Sequence, residues 1–137
     1  MAILGLGMDL VQVERVADLI ERRGERALAR LFTSGERAYC ERRGGRAVHY
    51  AGRFAAKEAV MKLLGTGWTR GVRWVDIEVE RAPGSAPRIA LHGETARIAA
   101  RMGIAAIHVT LTHDAGLAAA VAVAEGDREP RARQSRA

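Results

Sequence analysis

Two carboxylates stand where carboxylates rarely stand. Glu58 lies in Arg53-Phe54-Ala55-Ala56-Lys57-Glu58-Ala59-Val60-Met61-Lys62, a segment whose periodicity predicts a helix over about 45–64. At 100° per residue, Ala47, Ala51, Phe54, Ala55 and Glu58 share one face, and Lys62 follows one turn later. A charge in an apolar stripe must be paired or must hold a cation. An i,i+4 Glu58–Lys62 pair on a half-exposed helix satisfies the same pattern. The second carboxylate is Asp9, in the apolar run Ile3-Leu4-Gly5-Leu6-Gly7-Met8-Asp9-Leu10-Val11. That run has the length of a buried strand, and period two puts Gly5, Gly7 and Asp9 on one face. Glycine inside a strand marks close approach of a backbone or a ligand. Asp9 reads equally as a metal ligand or as the residue that ends the strand and caps the next helix.

These side chains need elements to hold them. Residues 2–10 read as a strand. Residues 13–23 read as a helix with Val13, Val16, Ala17 and Ile20 on its apolar row, stopped by Gly24. A short helical turn covers 25–31. Thr33 or Ser34 caps a helix that carries Glu36 and Arg37 in its first turns and breaks at Gly44-Gly45. The long helix ends at Gly65-Thr66-Gly67. Residues 72–81 alternate as a strand, with Val75, Ile77 and Val79 inward and Asp76, Glu78 and Glu80 on a wet acidic face. A turn at 82–85 leads to a partner strand at 87–91. A helix at 94–102 is followed by strands at 107–112 and 117–124, joined by the loop His113-Asp114-Ala115-Gly116. The last strand is apolar on both faces, so each face needs a cover. From about residue 126 no apolar anchor remains, and the sequence reads as a disordered basic tail after a single domain at 1–125. The fold class is α+β.

Composition narrows the functions. The chain has 137 residues, 48% hydrophobic and 28% charged, which suits one globular domain. Only 4% is aromatic, so Ala, Val, Leu and Ile must build the core. The single cysteine, Cys40, excludes an internal disulfide and reads as a packed thiol. No apolar stretch is long enough to span a bilayer, and no basic region precedes the first apolar run; a cytoplasmic protein is expected. The net charge is +6, and all but two of the 22 basic residues are arginine. Residues 15–46 carry nine arginines against five acids. That excess suits an anionic partner: a phosphorylated ligand, an acidic protein or a nucleic acid. A small basic nucleic-acid-binding module is the rival reading, but six scattered aromatics offer no stacking platform.

Five blocks in order, Gly7-Met8-Asp9-Leu10-Val11, Phe32-Thr33-Ser34-Gly35-Glu36-Arg37-Ala38-Tyr39-Cys40, Arg53-Phe54-Ala55-Ala56-Lys57-Glu58-Ala59, Lys62 and Gly65-Thr66-Gly67, resemble the 4′-phosphopantetheinyl transferases of the small bacterial holo-[acyl-carrier-protein] synthase class. The resemblance covers about residues 2–125. It implies a small antiparallel sheet packed on a long central helix, assembled as a homotrimer with active sites between subunits. It implies transfer of phosphopantetheine from coenzyme A to a serine of acyl carrier protein, releasing 3′,5′-ADP. By resemblance Asp9 and Glu58 hold Mg²⁺, and Lys62 meets the phosphates. Arg53 helps hold the 3′-phosphate of coenzyme A; without the resemblance it reads as a surface arginine. Gly65, Thr66 and Gly67 offer small residues and backbone N–H groups to an anion. His113, from a neighbouring subunit, contacts coenzyme A, although its flanking Thr112 and Asp114 replace serines frequent in the family. Arg15, Arg22, Arg23 and Arg26 would meet the acidic carrier protein. The general base stays open.

Overall fold

The computed structural model describes residues 1–67, 69 and 71–128. Ten elements follow in order: strand β1 (Ala2–Gln12), helices α1 (Val13–Leu31), α2 (Ser34–Glu41) and α3 (Arg46–Leu64), a 3-10 turn at Trp74–Asp76, strands β2 (Ile77–Glu80) and β3 (Arg88–Leu91), helix α4 (Gly93–Arg101), and strands β4 (Ile104–Asp114) and β5 (Leu117–Gly126). Where one sheet was expected there are two. One is antiparallel with order β1-β5-β4, and the other is the β2-β3 hairpin. The last part of the expected tail, residues 129–137, lies outside the described residues.

The register of the three-stranded sheet explains its two faces. Gly7, Asp9 and Val11 sit opposite Ala122, Ala120 and Ala118 of β5, and Val109 and Leu111 of β4 complete the rows. This face is buried against α3, whose Ala51, Ala55, Ala56 and Ala59 are fully buried. Small residues on both sides bring helix and sheet close, which raises dispersion contact in a core poor in aromatics. A Cβ on Gly7 would collide with the backbone carbonyl of Ala59. The opposite face carries Leu6, Met8 and Leu10, each at least 60% exposed, beside half-buried Val121 and Val123.

Two expected boundaries move and one stays. Val75 leaves the strand for the 3-10 turn, because Asp76 N–H donates to Arg73 O at 3.0 Å and the strand begins only at Ile77. β4 runs through His113 and Asp114, leaving a two-residue turn at Ala115 and Gly116. Both turn residues have positive φ (50° and 78°), the handedness that matches strand twist. At Gly24 (φ 53°, ψ −133°) α1 is broken into two segments, as its position in the sequence predicts.

Candidate active site

β1 and α3 bring Asp9 and Glu58 together from 49 positions apart. Asp9 is 8% exposed on the inner face of β1, beside the glycine that lets α3 come close. Glu58 projects from α3 at the edge of that contact and is half-buried. Burial and then the neighbouring Asp9 carboxyl, by charge and hydrogen bonding, raise the Glu58 pKa above the ordinary carboxylate value. Lys62 and Arg15 oppose that shift. Lys62 Nζ donates to Asp9 Oδ1 and to Met8 O, both at 3.0 Å. Lys62 therefore bonds across to Asp9, and the simple Glu58–Lys62 helix pair is not what forms. Asp9 is neither a strand end nor a helix cap: β1 continues to Gln12, which is the N-cap of α1.

Two adjacent carboxylates that repel, with one mobile lysine at their rim, fit a hard divalent cation. Magnesium takes one or two carboxylates and fills its remaining positions with water or phosphate oxygens. No group of three or more His, Cys, Asp or Glu side chains able to hold a metal occurs among the described residues.

The Gly65-Thr66-Gly67 segment closes α3. Gly65 N–H donates to Lys62 O at 3.1 Å and Thr66 N–H to Met61 O at 3.2 Å, with Gly65 left-handed (φ 74°). Those two amides are used in capping the helix. Thr66 is buried, and its hydroxyl donates to Gly67 O at 2.8 Å.

Arg53 and His113 belong to the other side of α3. Arg53 and Glu58 are five residues apart, which rotates them about 140° from each other. Arg53 is not the surface arginine of the plain sequence reading. It is 2% exposed, its guanidinium lies 3.9 Å from the centre of the Tyr39 ring, and Nε and Nη2 have no hydrogen-bond partner. Arg43 covers the same ring at 4.0 Å. Nearby His49 is held below its ordinary value by burial and then by Arg53, with Arg43 and His113 adding positive charge. His113 is exposed at the end of β4. The chain thus carries two separate clusters, Asp9–Glu58–Lys62 on one side of α3 and the arginine- and histidine-bearing Arg43–His49–Arg53–His113 group on the other.

A cleft runs along α1, and Arg15 in its wall is near enough to Glu58 to oppose the rise of its pKa. Arg15, Arg22 and Arg23 line it together with Glu14, Asp18 and Phe54, and Arg22, Arg23 and Arg26 continue round the helix into an arginine-lined depression. Phe54 stacks on Trp74, centroids 4.9 Å apart at 22°.

The sequence reading missed a buried ion pair. Lys57 and Glu36 are both fully buried, and Lys57 Nζ donates to Glu36 Oε1 at 2.7 Å, Ile77 O at 2.6 Å and Trp74 O at 2.9 Å. Glu36 Oε1 also accepts from Thr33 N–H and Oε2 from Val79 N–H. The Thr33-x-x-Glu36 spacing is a capping-box signature and was the readable half of this network. Burial pushes the Cys40 thiol up to about 12, which suits a packed thiol.

The sequence profile of the 4′-phosphopantetheinyl transferase superfamily matches residues 5–122. A holo-[acyl-carrier-protein] synthase of Anaeromyxobacter sp. (strain K) is 54% identical over 127 residues, covering 90% of this chain and 97% of the relative. The crystal structure of the Neisseria meningitidis holo-[acyl-carrier-protein] synthase superposes with a TM-score of 0.82 at 27% identity, covering 90% of this chain and 99% of that one. The Helicobacter pylori holo-[acyl-carrier-protein] synthase in complex with coenzyme A gives 0.77 at 30% identity, covering 88% and 99%.

Proposed function

We propose that this chain, which belongs to the 4′-phosphopantetheinyl transferase superfamily, moves 4′-phosphopantetheine from coenzyme A to a serine of apo-acyl carrier protein. The observation that carries the reading is the Asp9–Glu58 pair, with Lys62 at its rim and an arginine-lined cleft beside it. In the reaction the serine oxygen bonds to the β-phosphorus of coenzyme A. The bond from that phosphorus to the 3′,5′-ADP oxygen breaks, the electron pair leaves with 3′,5′-ADP, and the serine proton passes to solvent.

Asp9 and Glu58 hold Mg²⁺ in this reading. The ion, when bound, neutralises the pyrophosphate oxygens and aligns the leaving group. Asp9 is fixed by β1 and needs no reorganisation to meet the ion. Burial and the neighbouring Asp9 disfavour the Glu58 carboxylate, and a cation placed beside it would favour the charged form. Lys62 is more than half exposed at its side chain, so its ammonium swings from Asp9 toward phosphate as a mobile point charge. Arg15, Arg22, Arg23 and Arg26 present positive charge to an acidic carrier helix and raise the encounter rate.

Arg53 and Glu58 point about 140° apart round α3, which separates the arginine–histidine cluster from the same chain's carboxylates. In this reading a homotrimer brings the two together, with Arg53 and His113 of one chain facing the coenzyme A held by the next. The exposed Leu6, Met8 and Leu10 face supplies apolar surface for such packing. The cytoplasm, where coenzyme A and carrier proteins meet, is the expected location.

The test is intact mass spectrometry of apo-acyl carrier protein incubated with this protein, coenzyme A and magnesium. A mass gain of one phosphopantetheine group is expected. An unmodified carrier, with a binding signal to random DNA that fades with salt, would favour the nucleic-acid reading instead.

A further inference from the structure

Lys57 stands next to Glu58 in sequence and points the opposite way, into the protein. Its ammonium donates to three acceptors: one carboxylate oxygen and the carbonyls of Trp74 and Ile77. The bond to Glu36 holds α2. The bonds to Trp74 and Ile77 hold the two ends of the 3-10 turn that leads into β2. A lysine satisfied three times and fully buried fixes these carbonyls far more tightly than loop backbone is otherwise held.

One of those residues reaches the outside. The Trp74 indole stacks on Phe54, and Phe54 walls the cleft that carries Arg15, Arg22 and Arg23. On its other side Trp74 lines a second depression with Ala29 and Arg30, in the segment of α1 beyond the Gly24 break. The indole thus lies between α3 and the basic helix, and among the described residues the cation on its backbone carbonyl is Lys57.

We propose that Lys57 is a positioning residue for carrier-protein docking: by holding the Trp74 carbonyl it sets the indole against Phe54 and so fixes the walls of the arginine cleft. It touches neither phosphate nor metal and acts through Trp74. The inference rests on the transfer reading above and adds to it a residue that governs partner affinity from inside the core.

The experiment measures steady-state transfer with wild type, Lys57→Met, Trp74→Leu and the double variant. Carrier protein and coenzyme A are varied separately. KM for carrier protein should rise about tenfold in each single variant, the loss of one interface anchor. The double variant should be no worse than either single one, because both changes undo one contact chain. KM for coenzyme A and kcat at saturating carrier should stay within about twofold of wild type. Parallel losses in kcat and in both KM values would mark Lys57 as merely structural and overturn the proposal, as would multiplying effects in the double variant. If Lys57→Met does not fold, an unchanged carrier KM in Trp74→Leu overturns it alone. A wild type that never modifies the carrier fails the transfer reading itself, a result the variants cannot mimic.

Discussion

The chain has two lysines, five residues apart on α3, and each faces a carboxylate. Lys57 and Glu36 meet in a fully buried pair in which the ammonium has three acceptors and both Glu36 oxygens accept hydrogen bonds. Lys62 and Asp9 meet at the surface, with the lysine side chain 56% exposed and a second carboxylate, Glu58, crowding the first. The buried pair is closed to solvent and so to a ligand. The exposed one has a lysine free to leave, and two carboxylates whose repulsion a cation relieves. Identical chemistry serves the fold at one address and, in the proposed transfer, the reaction at the other, and solvent access separates the two.

The sharpest break of that contrast is at Asp9 and Glu58. Asp9→Asn and Glu58→Gln should each lower transfer by about a thousandfold, since a bound metal supplies several kcal/mol of charge stabilisation and each 1.36 kcal/mol is tenfold. Carrier modification over time reads this directly, and near-wild-type rates would remove the pair from the site. Thermal melting of metal-free protein sharpens the point. A carboxyl with a raised folded pKa stabilises only at low pH, and that contribution is lost as pH rises through the folded value. At neutral pH Glu58→Gln should therefore melt no lower than wild type.

Lys57→Met should behave oppositely. Removing one partner of a buried pair leaves the other charge uncompensated and costs about 3–5 kcal/mol. Denaturant unfolding measures it, and a loss below that of an ordinary surface substitution would mean the pair is not what holds α2 and β2 to α3.

How far this contrast was legible in the sequence depends on range. Asp9 and Glu58 were conspicuous because each puts a charge into an apolar pattern, and Gly7 announced a close approach that proves to be Ala59. The Gly24 break and the caps of α2 and α3 follow from local chemistry. Lys57 was invisible because its partners lie 17 to 21 positions away, and helical periodicity carries no information about them. The surface reading of Arg53 fails for a similar reason: its cover, Tyr39, comes from another helix. The 3-10 turn replaced the start of a strand because a strand needs a partner, and the β2-β3 ladder begins only at Ile77–Leu91.

Gly7→Ala tests the geometry without touching any charge. Overpacking against the Ala59 carbonyl should cost about 1–3 kcal/mol and move Asp9 from Glu58. Activity should fall while coenzyme A affinity in chelator is kept; an active, equally stable variant would show that the close approach is dispensable. The smallest effect concerns pH. In metal-free protein Glu58 should titrate above an ordinary glutamate, and Asp9→Asn should bring it back down, because a neighbouring charge is gone. Carboxyl-resolved NMR titration reads both values, and an unmoved Glu58 would separate the two groups.

The most direct measurement is calorimetric titration of coenzyme A into wild type and Glu58→Gln, each with magnesium and with chelator. Wild type should bind more tightly with magnesium, and Glu58→Gln should bind equally in both conditions. A variant that keeps the full magnesium gain would contradict the assignment of the exposed carboxylate pair as the metal site.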